Sequence, residues 1–265
     1  MAYQYIRLDR EGAYFTLTMN CPERRNALSR AHMTELIDAF RTIGASDALG
    51  VTLAADGPAF CAGHDFGDMI GANLPELRSL LLQCAELMRL MQDIPQVVIA
   101  RVQGPAIAAG CQLVATCDLA VAAEGATFAL PGGKGGWFCH TPLVAVGRAV
   151  GRKQALEMAF TGEAIDAATA LSWGLLNRVV PSAGLPAQTQ ELLARATRGT
   201  AFAKGMGKRC FYDQIDLDLP RAYAHAVEVM AATGVTPEAQ ERMLSFVEKR
   251  VARPIADARL PRAAE

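Results

Sequence analysis

The chain has 265 residues, 51% hydrophobic and 20% charged, with 26 basic against 27 acidic side chains for a formal charge of −1. That composition belongs to a folded globule with a large core and excludes a disordered chain. Its balanced, scattered charge excludes a nucleic-acid footprint, and no apolar run reaches the roughly 18 residues of a membrane span.

The first twenty residues read as two short strands around Arg10-Glu11-Gly12, without the basic start and apolar run of a secretory signal. Ser29 is placed to cap a helix over SRAHMTELIDAFRTI. GVTLAA then reads as a strand, and PELRSLLLQCAELMRLMQD, by its three- and four-residue apolar spacing, as a helix. Downstream, VVIARVQ, LAVAA and LLNRVV are strand-like. RKQALEMAFTG and DAATALSWG are helical, the latter opened by Asp166 and closed by Gly174. Alternation of this kind predicts an α/β architecture. From about Gly199 the strand signals stop and helical periodicity takes over, in PRAYAHAVEVMAATG and in TPEAQERMLSFVEKRVA, where Thr236-Pro237 marks a helix start. The chain is therefore read as an α/β body over residues 1–198 and a helical oligomerisation region over 199–265.

Seven cysteines, at 21, 61, 84, 111, 117, 139 and 210, form no CxxC pair. They predict buried, reduced thiols and a cytoplasmic protein. The four histidines, at 32, 64, 140 and 225, lack metal-ligand spacing, so no metal is expected.

Two segments carry the candidate chemistry. VTLAADGPAFCAGHDF runs from a strand through a tight Asp56-Gly57-Pro58 turn; VVIARVQGPAIAAGCQLVATCDLAVA repeats the device and enters a helix through small residues alone. Small side chains let a ligand lie against the backbone, and a helix N-terminus offers unpaired N–H donors. Facing each other, two such turns would hold an anionic oxygen between two amides. Taken alone, the second segment serves close helix packing equally well.

FCAGHDF, GPAIAAGCQLVATCDLAVAAEGATFALP and VGRKQALEMAFTGEAIDAATALSWGLLNRVVP follow one another in that order, with PERRNALS before them and FVEKR after. Together they resemble the enoyl-CoA hydratase/isomerase (crotonase) superfamily over nearly the whole chain, nearest to the enoyl-CoA-hydratase-domain-containing subgroup that lacks both catalytic glutamates. The resemblance implies a crotonase-like spiral of ββα units with a C-terminal helical trimerisation region, assembled as a homotrimer or a dimer of trimers. It implies an acyl-CoA or enoyl-CoA thioester as substrate and no tightly bound cofactor, with coenzyme A entering as part of the substrate. It assigns the oxyanion-hole amides to Cys61 and Ala109. Ala62, Gly63, His64 and Gly110 would line the coenzyme, with Arg24, Ala27, Phe246 and Lys249 as further contacts.

Hydratases of this family use two glutamates, and at the matching positions stand Gln112 and Gly132. Glutamine orients a water but accepts no proton at neutral pH, and glycine offers nothing. Acid–base groups contribute ~10²–10⁴ in rate each; the remaining oxyanion donors, at about 10²–10³ each, stabilise an enolate but do not create one. Efficient two-glutamate hydration is not expected.

Asp65, Asp68, Glu124, Glu163 and His140 lie close enough in sequence to be weighed as replacements. Asp65 reads first as a structural cap, Glu124 as a turn residue, and His140, beside Trp137 and Phe138, as packed before catalytic. The apolar stretch from Gly67 to Pro95 would wall an acyl pocket or pack as an amphipathic helix. Three functions stay open. The first is a family enzyme of the lyase class that stabilises a thioester enolate with weak or altered hydration. The second, which the AGHD motif and the missing base favour, is an acyl-CoA decarboxylase or thioester hydrolase. The third is a non-catalytic acyl-CoA-binding trimer.

Overall fold

The computed structural model describes residues 3–251, with side chains as far as Glu248. The chain opens with a hairpin of β1 (Ile6–Glu11) and β2 (Tyr14–Met19), closed through Gly12. α1 (Arg30–Gly44) begins where Ser29 Oγ accepts the His32 N–H at 3.1 Å. β3 (Gly50–Ala55) leads to α2 (Leu74–Asp93), which starts at a capping box formed by Asn73 and Glu76. Next come β4 (Val97–Val102), the two-residue β5 (Ala106–Ile107), α3 (Ala109–Thr116), β6 (Leu119–Ala123) and β7 (Thr127–Ala129). α4 (His140–Ala149), α5 (Arg152–Thr161), β8 (Ile165–Asp166), α6 (Ala167–Trp173), β9 (Arg178–Val180) and α7 (Leu185–Ala196) complete the alternation. Three helices follow: α8 (Ala201–Gln214), α9 (Leu219–Gly234) and α10 (Pro237–Val251).

The strands form a six-stranded sheet in the order β1-β2-β3-β4-β6-β9, parallel from β2 onward, and a small second sheet in the order β5-β7-β8. β3 and β4 read as almost unbroken apolar runs because they are central strands covered on both faces. Leu17, Met19, Leu53, Val98 and Ala100 meet Met33, Leu36 and Phe40 of α1 and Leu80, Leu87 and Met91 of α2 in one core. α2 spends most of its apolar face on that core. The Gly67–Pro95 stretch is thus chiefly packing, with Leu81 alone among its α2 residues reaching the cavity described below.

The chain divides into two compact units, residues 1–209 and 210–265, so the division falls inside α8, past the point where strand signals stop. In the first unit Gly205 of α8 lies against Pro95. Lys208 reaches further in. Its ammonium donates to the Met91 and Gln96 carbonyls at 2.8 and 2.9 Å and pairs with Asp118 at 2.8 Å, while Asp118 also accepts the Val98 N–H at 2.7 Å. One lysine thereby ties the end of α2, the start of β4 and the turn before β6. Its signal in the sequence is nil, since a lysine at that helix position reads as surface. Lys208→Ala leaves two carbonyls and a half-buried carboxylate without their lysine. The expected loss is about 3 kcal/mol of stability, read as a lowered urea midpoint.

Candidate functional site

Backbone bridges bring the two small-residue loops together. Phe60 and Cys61 both donate their N–H to the Pro105 carbonyl, at 3.0 and 3.2 Å, and Ile107 N–H donates to the Cys61 carbonyl at 2.9 Å. α3 starts so close to this bridge that a Cβ on Gly110 would run into the Cys61 carbonyl. Along its other edge the loop pairs with the segment before α1. Ala62 N–H donates to Arg25 O (3.0 Å), Leu28 N–H to Gly63 O (2.7 Å) and Asp65 N–H to Leu28 O (3.1 Å).

These bonds correct the choice of donor made from the sequence. The Cys61 N–H is spent on Pro105, so it is not one of two open converging amides. Its thiol is no better placed for chemistry, because complete burial pushes it up to about 12. His64 sits between the two bonds of the Leu28 bridge, which turns its own N–H to the opposite edge. None of the backbone bonds among the described loops uses that N–H. Ala109 opens α3, so its N–H has no acceptor within the helix. A Cβ placed on Gly63 would stand 3.6 Å from the Ala109 nitrogen, which measures how near the two loops lie. The open pair is His64 and Ala109. Ala108, between the loops, holds φ 51° and ψ −113°, a conformation that side-chain-bearing residues rarely adopt.

Both residues line a cavity of about 270 Å³. Phe66, Leu81, Ile107, Trp137, Phe138 and Pro142 make it largely apolar; His64, Cys139, His140 and Thr141 supply its polar side chains. Among the described residues no carboxylate, lysine or arginine lines it. The cavity gathers Ala62, His64, Ala109, Gly132 and His140 from the sequence-derived set. Phe66, Trp137, Phe138 and Thr141 were not assigned to the site from the sequence; the signal available was the Trp137-Phe138 aromatic pair at the end of a glycine-rich loop.

Gln112 is elsewhere. It is buried on α3 with its Oε1 facing Cys84 of α2 at 4.0 Å, and it does not line the cavity. Gly132 does line it, yet its position is closed: a Cβ there would collide with the Trp137 carbonyl and stand 2.8 Å from Cys139 Sγ, the sulfur that accepts the Gly132 N–H. The acidic neighbours are committed too. Asp65 accepts the Gly67 N–H with one oxygen and pairs with Arg24 through the other, so the Arg24 charge is already answered. Asp68 accepts the Arg30 N–H at 2.7 Å, Glu163 faces Lys134 at 3.9 Å, and Glu124 is exposed on a turn. His140 begins α4 with its ring against Phe138, centroids 5.2 Å apart. The Ala27 carbonyl is held 3.1 Å from His32 Nδ1. Phe246 is exposed on α10 in the second unit, and the Lys249 side chain lies outside the described residues.

Three outcomes follow from this geometry. Gly132→Glu, alone or with Gln112→Glu, is expected to lower the thermal midpoint and create no hydratase, since overpacking costs ~1–3 kcal/mol. Ala108→Gly is expected to raise it. Relief of backbone strain, ~1–3 kcal/mol, exceeds the added freedom of the unfolded chain, ~0.4–1 kcal/mol. Burial holds His32 and His64 below the ordinary histidine value. The unfolded chain takes up those protons near pH ~6.5 while the folded chain does not. Stability is therefore complete above that pH and falls as pH drops through the lowered folded values. Melting curves from pH 7.5 to 5 should show the fall, and His64→Gln should flatten it.

The enoyl-CoA hydratase/isomerase family model matches residues 9–253. Mouse enoyl-CoA hydratase domain-containing protein 3, mitochondrial, is 40% identical over 236 residues, 88% of this chain and 79% of its own. Among solved structures, an enoyl-CoA hydratase of Mycobacterium smegmatis is 43% identical with a TM-score of 0.91, over 93% of this chain and 97% of its own. Human enoyl-CoA hydratase domain-containing protein 3 is 36% identical with a TM-score of 0.89, over 96% and 100%. The mouse, rat and human relatives carry a mitochondrial designation, which overturns the cytoplasmic location expected from the cysteines. The physical reason is plain: free, buried thiols report a reducing environment and do not choose between compartments that share one. In its α/β architecture, its paired small-residue loops and the match along nearly its full length, the chain belongs to the enoyl-CoA hydratase/isomerase family.

Proposed function

We propose that the chain binds an acyl-CoA thioester with its carbonyl directed at the His64 and Ala109 amides, and that it acts on the thioester through an enolate rather than by rapid hydration. The observation that carries this reading is that His64 and Ala109, whose N–H groups make no backbone bond outside the helices and strands, both line one apolar cavity with no lining carboxylate among the described residues. In such surroundings a donor pair stabilises charge developing on the thioester oxygen far more than it would in water. Among the described residues nothing lining the cavity replaces a glutamate pair: the His64 ring nitrogens are buried away from solvent, and His140 is left as the accessible imidazole. Crotonyl-CoA, followed by loss of its conjugated absorbance, tests the point. Turnover at least ~10⁴-fold below that of a two-glutamate hydratase is expected from the loss of both groups; a comparable rate refutes the reading.

The missing carboxylate favours one second reading, decarboxylation. Breaking the bond between Cα and a carboxylate releases CO₂ and leaves its electron pair as the enolate, so no base is needed before protonation. A mass-spectrometric screen of malonyl-, methylmalonyl- and longer acyl-CoA thioesters separates the cases. Tight binding of coenzyme A without any product identifies a binding protein instead. For assembly, an exposed apolar stripe on α9, formed by Leu219, Tyr223, Val227 and Met230, supports a homotrimer or a dimer of trimers. Light scattering on the purified chain is expected to give three or six copies, and a monomer mass rejects that assembly.

A further inference from the structure

We infer that Asn26 is a positioning residue: it aims the His64 amide into the cavity without touching the cavity itself. The inference rests on the acyl-thioester reading of that cavity. Asn26 is fully buried, and with Arg25 it forms a consecutive pair of left-handed residues, φ 53° and 52°. Asparagine tolerates that conformation better than most side chains, but tolerance does not explain what the buried amide does. Its Oδ1 accepts the Cys21 N–H at 2.9 Å, and its Nδ2 donates to the carbonyls of Asp56 and Ala59 at 2.9 and 3.0 Å. Both donor hydrogens and one acceptor site are thereby used.

The two carbonyls belong to the turn that delivers the FCAGHD loop. The left-handed pair makes the kink that presents Arg25 O to Ala62, and Leu28 to both Gly63 and Asp65. One side chain therefore fixes the turn before the loop, while its own backbone fixes the template beside it. What this arrangement leaves open on the far side is the His64 N–H. Hydrogen bonds weaken steeply with misalignment, and an oxyanion donor acts at 2.7–3.1 Å from the developing charge. Loosening the latch therefore removes the donor function well before it removes the fold.

A conjugated dienoyl-CoA thioester reports this directly, because polarising its carbonyl moves its absorption to longer wavelength. Asn26→Gly keeps the left-handed backbone and deletes all three bonds. Asn26→Asp keeps the acceptor for Cys21 and deletes both donations. With the full chain, the unsubstituted protein is expected to red-shift the bound thioester, and both variants to lose most of that shift. Coenzyme A alone, which has no thioester carbonyl, should bind all three proteins equally by calorimetry. Turnover of any reactive thioester should fall ~10²–10³-fold, the worth of one donor, with KM little changed. A normal shift in both variants overturns the inference alone. Loss of cooperative melting or of coenzyme A binding in both variants also overturns it, since Asn26 would then serve the fold rather than one amide. No shift in the unsubstituted protein overturns the acyl-thioester reading itself, and the inference with it.

Discussion

The structure turns on one short loop held between two backbone templates. Residues 60–65 pair with the Pro105–Ile107 segment on one edge and with Arg25–Leu28 on the other, as if a strand had been inserted between two loops. A peptide in that position has its N–H direction set by which neighbour it bonds. At Cys61 the amide faces Pro105 and is consumed; at His64 it faces away from Leu28 and is left over. The start of α3 adds a second unpaired donor at Ala109, and Gly110 permits the approach. The two unpaired donors on residues that line the cavity follow from these few bonds.

That arrangement also explains which parts of the site were legible in the sequence. Caps such as Ser29 and Asp166 were readable because their partners lie three residues away in the chain. β3 and β4 were readable because burial on both faces demands continuous apolar residues. The small-residue loops announced a close backbone approach. Which amide the approach would free was not legible, since it depends on bonds from Cys61 to Pro105 and from Leu28 to Gly63, across tens of residues. Neither was the fate of the two glutamate positions. Gln112 faces Cys84 because α3 packs on α2, and Gly132 is shut by the Trp137 carbonyl and Cys139. The two- and three-residue strands of the small sheet are too short to carry any periodic signal.

Conformational strain gathers around the same loop. Among the described residues the left-handed non-glycine positions are Arg25, Asn26 and Ala108, and each lies next to one of the two templates. Such backbone states persist where surrounding bonds over-determine them. For Asn26 those bonds are visible as three side-chain contacts; for Ala108 they are the Ala108 N–H to Ala129 bond and the acceptance of the Gln112 N–H by its carbonyl. Stability and donor geometry are thus coupled, and a gain in one can come from a loss in the other.

The closed space at Gly132 has an evolutionary consequence. A glycine normally stands one substitution from an acidic residue, and that step stays open. Here the Trp137 carbonyl and the Cys139 sulfur occupy the space that any side chain at this position would need. Installing one must first reshape the Trp137–Cys139 segment, through intermediates that lack the present packing. An acidic side chain at position 132 is thus out of reach of a single substitution, because the backbone that faces it must be rebuilt first.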